Sequence, residues 1–211
     1  MRSKKIWLRE AKLYLILDAQ VNSYATLLDI LKKSVRVGVD IVQLRDKSGC
    51  AKDILEFSRK AKKIIGGRIP LIINDRVDLA MIAQVSGVHL GQDDIPLTIA
   101  RRMMGDKAMI GVSCQTIELA RRAQREGADY IGFGSVFKTQ TKPGRTPMNL
   151  KILQKVAREL KIPIFAIGGI TCENVGRLRK LGVDRVAVCR DVCLSSNVSA
   201  TVKRIARILK K

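Results

Sequence analysis

Leu13-Tyr14-Leu15-Ile16-Leu17 runs directly into Asp18-Ala19-Gln20-Val21-Asn22. The first five residues are apolar and of the right length for one short buried strand. The second five decide between two architectures. A doubly wound open sheet that binds a dinucleotide carries a Gly-rich turn after its first strand. No such fingerprint comes after Leu17, so the stretch argues for a closed barrel of strands instead.

Seven further short runs rich in Ile, Val or Leu repeat the pattern. They are Asp40–Leu44, Pro70–Ile73, Gly87–Leu90, Met109–Val112, Tyr130–Phe133, Ile164–Ile167 and Arg185–Cys189. Amphipathic helical patterns lie between them. Ala51 to Ile65 puts Ile54, Leu55, Ala61 and Ile65 on one face with Lys and Arg opposite, the 3.6-residue period of a helix packed on one side. Thr116 to Glu126, Asn149 to Leu160 and Ala200 to Leu209 read in the same way. Gly38-Val39-Asp40, Gly127-Ala128-Asp129 and Gly182-Val183-Asp184 mark helix-to-strand joins, where a glycine suits the left-handed C′ position. Eight β/α units predict an α/β fold, a single-domain (β/α)8 TIM barrel. The expected organisation is one domain over 1–211, with a basic extension over 1–11 and the barrel over 12–211.

Composition excludes several classes. With 46% hydrophobic and 28% charged residues the chain reads as soluble and globular. No apolar run approaches the roughly 18 residues of a spanning helix, and the run from Leu13 stops at Asp18, so neither a membrane span nor a signal peptide is expected. Five scattered cysteines, no CxxC and a single histidine argue against zinc and for reduced thiols. The expected location is cytoplasmic. The net charge of +21 is spread over helices, and only 4% of residues are aromatic, too few for base stacking. Small anionic substrates are the expected partners, with no specific nucleic acid and no membrane.

A barrel does its chemistry at the C-terminal ends of its strands. Strand two ends in Gln43-Leu44-Arg45-Asp46-Lys47, and alternation turns Gln43, Arg45 and Lys47 inward, an amide and two cations suited to a phosphate. Strand three ends in Asn74-Asp75, and Asp93-Asp94 come just after strand four. Carboxylates on neighbouring strand ends suit Mg2+, although an acidic residue ahead of Pro96 also reads as a helix start. Ser113 either meets a phosphate or caps the next helix. The loop Lys138 to Pro147 is hydroxyl-rich and basic, either a lid over an anion or a surface loop. Gly168-Gly169 lets backbone N–H groups approach a ligand, and Arg190 after strand eight could add a cation there. His89, within strand four, reads as structural. Together these suggest two phosphorylated substrates, one of them a metal-bound diphosphate.

Five of these stretches, Gln43-Leu44-Arg45-Asp46-Lys47, Ile73-Asn74-Asp75-Arg76, Gly87 to Asp94, Thr139-Gln140-Thr141-Lys142 and Ala166 to Ile170, resemble the thiamine phosphate synthase family in order and spacing. The resemblance runs from about Leu13 to the last helix. It implies a transferase of thiamine biosynthesis that joins 4-amino-2-methyl-5-hydroxymethylpyrimidine diphosphate to 4-methyl-5-hydroxyethylthiazole phosphate. Pyrophosphate leaves first, and the thiazole nitrogen traps the pyrimidinyl carbocation. The resemblance further implies Mg2+ on Asp75 and Asp94. Gln43, Arg45, Lys47, Asn74, Ser113 and Lys142 would hold the pyrimidine diphosphate, with Arg45, Ser113 and Lys142 as the catalytic group. Thr139, Thr141 and Gly169 would hold the thiazole phosphate.

Two positions depart from the family's pattern. Arg190 stands where a small hydroxyl residue is usual, and Gln115 stands where many relatives carry histidine. A thiazole tautomerase on the same fold depends on a histidine in that region and lacks the metal-binding carboxylates, so it resembles this chain less. A basic binding protein that kept the barrel without catalysis is the third reading.

Overall fold

In the computed structural model, residues 3–141, 144 and 146–210 are described. Eight parallel strands close a barrel in chain order, β1 pairing with β8. They are β1 (Leu13–Asp18), β2 (Ile41–Arg45), β3 (Leu71–Asn74), β4 (Gly87–Leu90), β5 (Met109–Cys114), β6 (Tyr130–Phe133), β7 (Ile164–Ile167) and β8 (Val186–Val188). All eight expected strands form. β5 runs two residues further than expected because Ser113 and Cys114 pair with Gly132 and Phe133 of β6. β8 stops short because Cys189 already caps the next helix.

The helices are α1 (Lys4–Glu10), α2 (Tyr24–Val35), α3 (Ala51–Ile65), α4 (Val77–Ile82), α5 (Leu97–Met104), α6 (Ile117–Arg125), α7 (Leu150–Glu159), α8 (Val175–Lys180), α9 (Arg190–Cys193) and α10 (Val198–Lys210). The apolar stripe expected over Ala51–Ile65 is the buried face of α3, where Ile54, Phe57, Ala61 and Ile65 meet the strands. The glycines at the three expected joins hold positive φ, +117° at Gly38, +89° at Gly127 and +80° at Gly182. None of the described helices is long and apolar enough to cross a membrane.

Alternation along each strand divides the core in two. On β2, Val42 and Leu44 face the helices, whereas Ile41 faces the barrel axis. The axial core also holds Tyr14, Ile72, Met109, Tyr130 and Phe165. The rings of Tyr14 and Tyr130 meet the edge of Phe165 at centroid distances of 5.4 and 5.7 Å, an arrangement favoured by aromatic quadrupoles. The hydroxyls of Tyr14 and Tyr130 lie 2.9 Å apart and satisfy each other inside this apolar layer. The basic extension is therefore more than a tail. Its residues form α1, which packs Trp7 and Leu8 against the axial core, and burying Leu8 alone stabilises the arrangement by about 2 kcal/mol. Lys4 fixes the helix, donating to the Ala108 carbonyl at 3.1 Å and pairing with Asp129 at 2.8 Å. Both partners precede strands, so α1 covers the N-terminal end of the barrel. The C-terminal end stays open.

Candidate active site

A cavity of about 450 Å³ occupies the open end. Its floor and first wall come from β2 to β5, which bring Gln43, Arg45, Asn74 and Ser113 to its lining as the sequence predicts. Gln43 and Arg45 reach it because their neighbours Val42 and Leu44 are committed to the outer core. A guanidinium this buried needs an anionic partner. Arg45 finds one on the adjacent strand end: its Nη1 donates to Oδ2 of Asp18 at 2.7 Å and to Oε1 of Gln20 at 2.8 Å. Asp18 is only 1% exposed, and its other oxygen accepts the Gln20 N–H at 3.0 Å. Lys47, one turn of alternation further out, is exposed at the rim and ion-paired with Asp75.

Asp75 and Asp94 stand together at this rim, beside the cavity and outside its lining. The backbone places Asp75 in an unusual way, with φ at +63° and its N–H donating to the His89 carbonyl at 2.8 Å. Asparagine and aspartate adopt this left-handed region more readily than other side chains. Burial pushes the Asp75 carboxyl up, a hydrogen bond with the Asp94 carboxyl pushes it further, and Lys47 opposes both. Asp94 does not cap α5, whose N-cap is Pro96. It turns back to accept the Gly91 N–H at 2.6 Å, which holds it against Asp75. Two crowded carboxylates, one of them paired with a lysine, are the hard-oxygen donor set that suits Mg2+. Asp93 is exposed.

Across the mouth the means are different. The loop after β6 lines the cavity with Thr139 and Thr141, the Thr139 hydroxyl accepting the Thr141 N–H at 3.2 Å. Lys142, expected in the same loop, lies outside the described residues. The loop is laid along the end of β7: Val136 N–H donates to the Ile167 carbonyl at 2.9 Å and Phe137 N–H to that of Gly168 at 3.0 Å. Gly169, with φ at +62°, could not carry a side chain here, since a Cβ would run into the Lys138 carbonyl oxygen. The glycine pair thus serves close packing of two loops as well as leaving backbone at the cavity. Arg190, the first residue of α9, is half-buried and lines the same wall.

Of the residues that the sequence does not assign to the site, His89 lines the cavity and Asp18 stands behind Arg45. His89 has one edge in the core and one in the cavity. Its Nδ1 lies 3.3 Å from the Tyr130 hydroxyl and its Nε2 3.0 Å from Ser113 Oγ. Ser113 is therefore held by the histidine and is not the cap of α6, which is Thr116. Asp18, a lone Asp after an apolar run, reads as a strand end, and its pairing with Arg45 emerges only once β1 and β2 are set in register, Asp18 opposite Arg45.

Comparison with known proteins gives one consistent result. The family model described as thiamine monophosphate synthase matches residues 13–192. A thiamine-phosphate synthase of Clostridium acetobutylicum is 38% identical over 201 residues, 95% of each chain. One from Halalkalibacterium halodurans is 37% identical over 206 residues, covering 97% of this chain and 98% of its own. Among solved structures, a thiamine phosphate pyrophosphorylase from Pyrococcus furiosus superposes with a TM-score of 0.87 at 29% identity, over 98% of this chain and 97% of that one.

Proposed function

The chain belongs to the thiamine monophosphate synthase family, and from that premise we propose how its residues divide the reaction. It is a transferase that makes thiamine phosphate, joining the pyrimidine diphosphate to the thiazole phosphate with release of pyrophosphate. The tautomerase and non-catalytic alternatives are not favoured, since the relatives are named as synthases over nearly their whole length.

Arg45 and Lys47 take the diphosphate, whose charge grows on the leaving group as the C–O bond breaks. Cations already fixed where that charge develops lower the barrier without reorganising. Gln43 and Asn74, which line the cavity with Arg45, orient the pyrimidine ring, and Ser113 and Lys142 take part in holding the same substrate. Thr139, Thr141, Gly169 and Arg190 hold the thiazole phosphate opposite, so the ring nitrogen faces the carbon left by pyrophosphate. Bringing two substrates to one geometry supplies much of the rate. Asp75 and Asp94 would hold Mg2+, which supplies charge neutralisation on the diphosphate oxygens. Five free thiols support a reducing, cytoplasmic setting.

The observation that carries this reading is the meeting of Arg45, Lys47 and the Asp75–Asp94 pair on one side of a mouth whose other side is glycine-rich backbone. The test is pyrophosphate release by purified protein given both substrates and Mg2+, with and without chelator. Release should depend on the metal and on the presence of both substrates. Release that is indifferent to chelator removes Asp75 and Asp94 as metal ligands.

A further inference from the structure

Resting on the reading that Arg45 receives the diphosphate, we infer that Asp18, with Gln20, is a positioning residue that fixes the Arg45 guanidinium and limits its grip on the departing pyrophosphate. Three observations combine. Asp18 is 1% exposed and Arg45 8% exposed, so this pair is held inside the protein and not screened at its surface. Asp18 Oδ2 and Gln20 Oε1 share a single guanidinium nitrogen, Nη1, at 2.7 and 2.8 Å. Gln20 is itself tied to Asp18 by its N–H, and the Ala19 N–H donates to the Arg45 carbonyl at 2.9 Å. The end of β1 therefore wraps the end of β2 at both main chain and side chain.

The charge balance gives this clamp a function beyond structure. An arginine with a buried carboxylate on one nitrogen keeps its other donors for a ligand, yet offers that ligand less net attraction than an unpaired cation would. The mouth needs enough positive charge to steady the leaving group and not so much that pyrophosphate stays. Asp18 supplies the counterweight, and Gln20 supplies a second acceptor without a second charge.

The test measures pyrophosphate affinity by titration calorimetry on the full chain in the presence of Mg2+, alongside steady-state kinetics. Asp18→Asn keeps the shape and removes the charge. It should bind pyrophosphate about tenfold more tightly, since a charge a few ångströms away acts through a low effective dielectric, with KM for the pyrimidine diphosphate and kcat falling together. Gln20→Glu adds a charge at the same nitrogen and should weaken pyrophosphate binding by about tenfold on the same grounds. Affinity for the thiazole phosphate should stay within about twofold in both, which also reports a folded mouth. A merely structural clamp predicts weaker binding in Asp18→Asn, which loses the ion pair, and unchanged binding in Gln20→Glu, which keeps an acceptor at Nη1, so pyrophosphate binding in Asp18→Asn no tighter than wild type overturns the inference. Should Asp18→Asn not fold, Gln20→Glu decides alone, and unchanged or tighter binding there overturns it. Arg45→Ala separates the premise: if it binds pyrophosphate as wild type does, Arg45 is not the diphosphate's partner and that assignment fails first.

Discussion

On the β1–β4 side of the mouth, Arg45 pairs with Asp18, Lys47 with Asp75, and Asp75 meets Asp94, whereas the β7 side presents Gly168 and Gly169, with the β6 loop laid across them. The first region is built from opposite charges that hold one another in place until a ligand arrives. The second is built from backbone brought so close that a methyl group has no room. They should fail differently. A change of charge that preserves shape disturbs the first and leaves the second, while a change of volume that preserves charge does the reverse.

The largest effect should come from removing the carboxylate that faces Asp75. Asp94→Ala is expected to lower kcat by about 100-fold or more, the scale of losing electrostatic stabilisation of a developing charge, with an unchanged unfolding midpoint. Turnover close to wild type would mean that Asp75 alone, or another group, holds the metal. Next, Gly169→Ala tests the backbone side. Its φ of +62° and the Lys138 oxygen in the path of any Cβ predict a loss of about 2 kcal/mol in denaturant unfolding, together with weaker thiazole phosphate binding. A stable variant with normal binding would show that the two loops can part without cost. The smallest effect is Arg190→Ala, expected to raise KM for the thiazole phosphate about tenfold, one charge-assisted contact's worth, and to leave pyrophosphate affinity alone. An unchanged KM would leave the backbone as the whole of that subsite.

The fold was legible because its signals are local and repeated. The run Ala51–Ile65 has the bounds of α3 to the residue, and Gly66 at φ +58° ends it as a left-handed cap. The ends of β2 and β3 were legible for the same reason, since alternation alone turns Gln43, Arg45 and Asn74 inward. The illegible part depends on which strand ends become neighbours and which way a side chain turns there. Nothing adjacent in the sequence links Asp18 to Arg45, 27 positions away, or Lys47 to Asp75. His89 reads as core because Val88 and Leu90 flank it, and its second edge reaches Ser113 only because β4 and β5 lie side by side. Asp94 before Pro96 reads equally as a cap or a ligand from spacing, and its turn toward Gly91 is a property of the folded loop.

The ring layer of Tyr14, Tyr130 and Phe165 and the α1 helix beneath it fill the N-terminal end of the barrel. The Tyr130 hydroxyl of that layer lies 3.3 Å from His89 Nδ1, and His89 Nε2 lies 3.0 Å from Ser113 Oγ at the cavity. Packing deep in the barrel is thereby tied to the cavity lining through a short relay of polar atoms, so a change among the rings reaches Ser113 without touching a ligand.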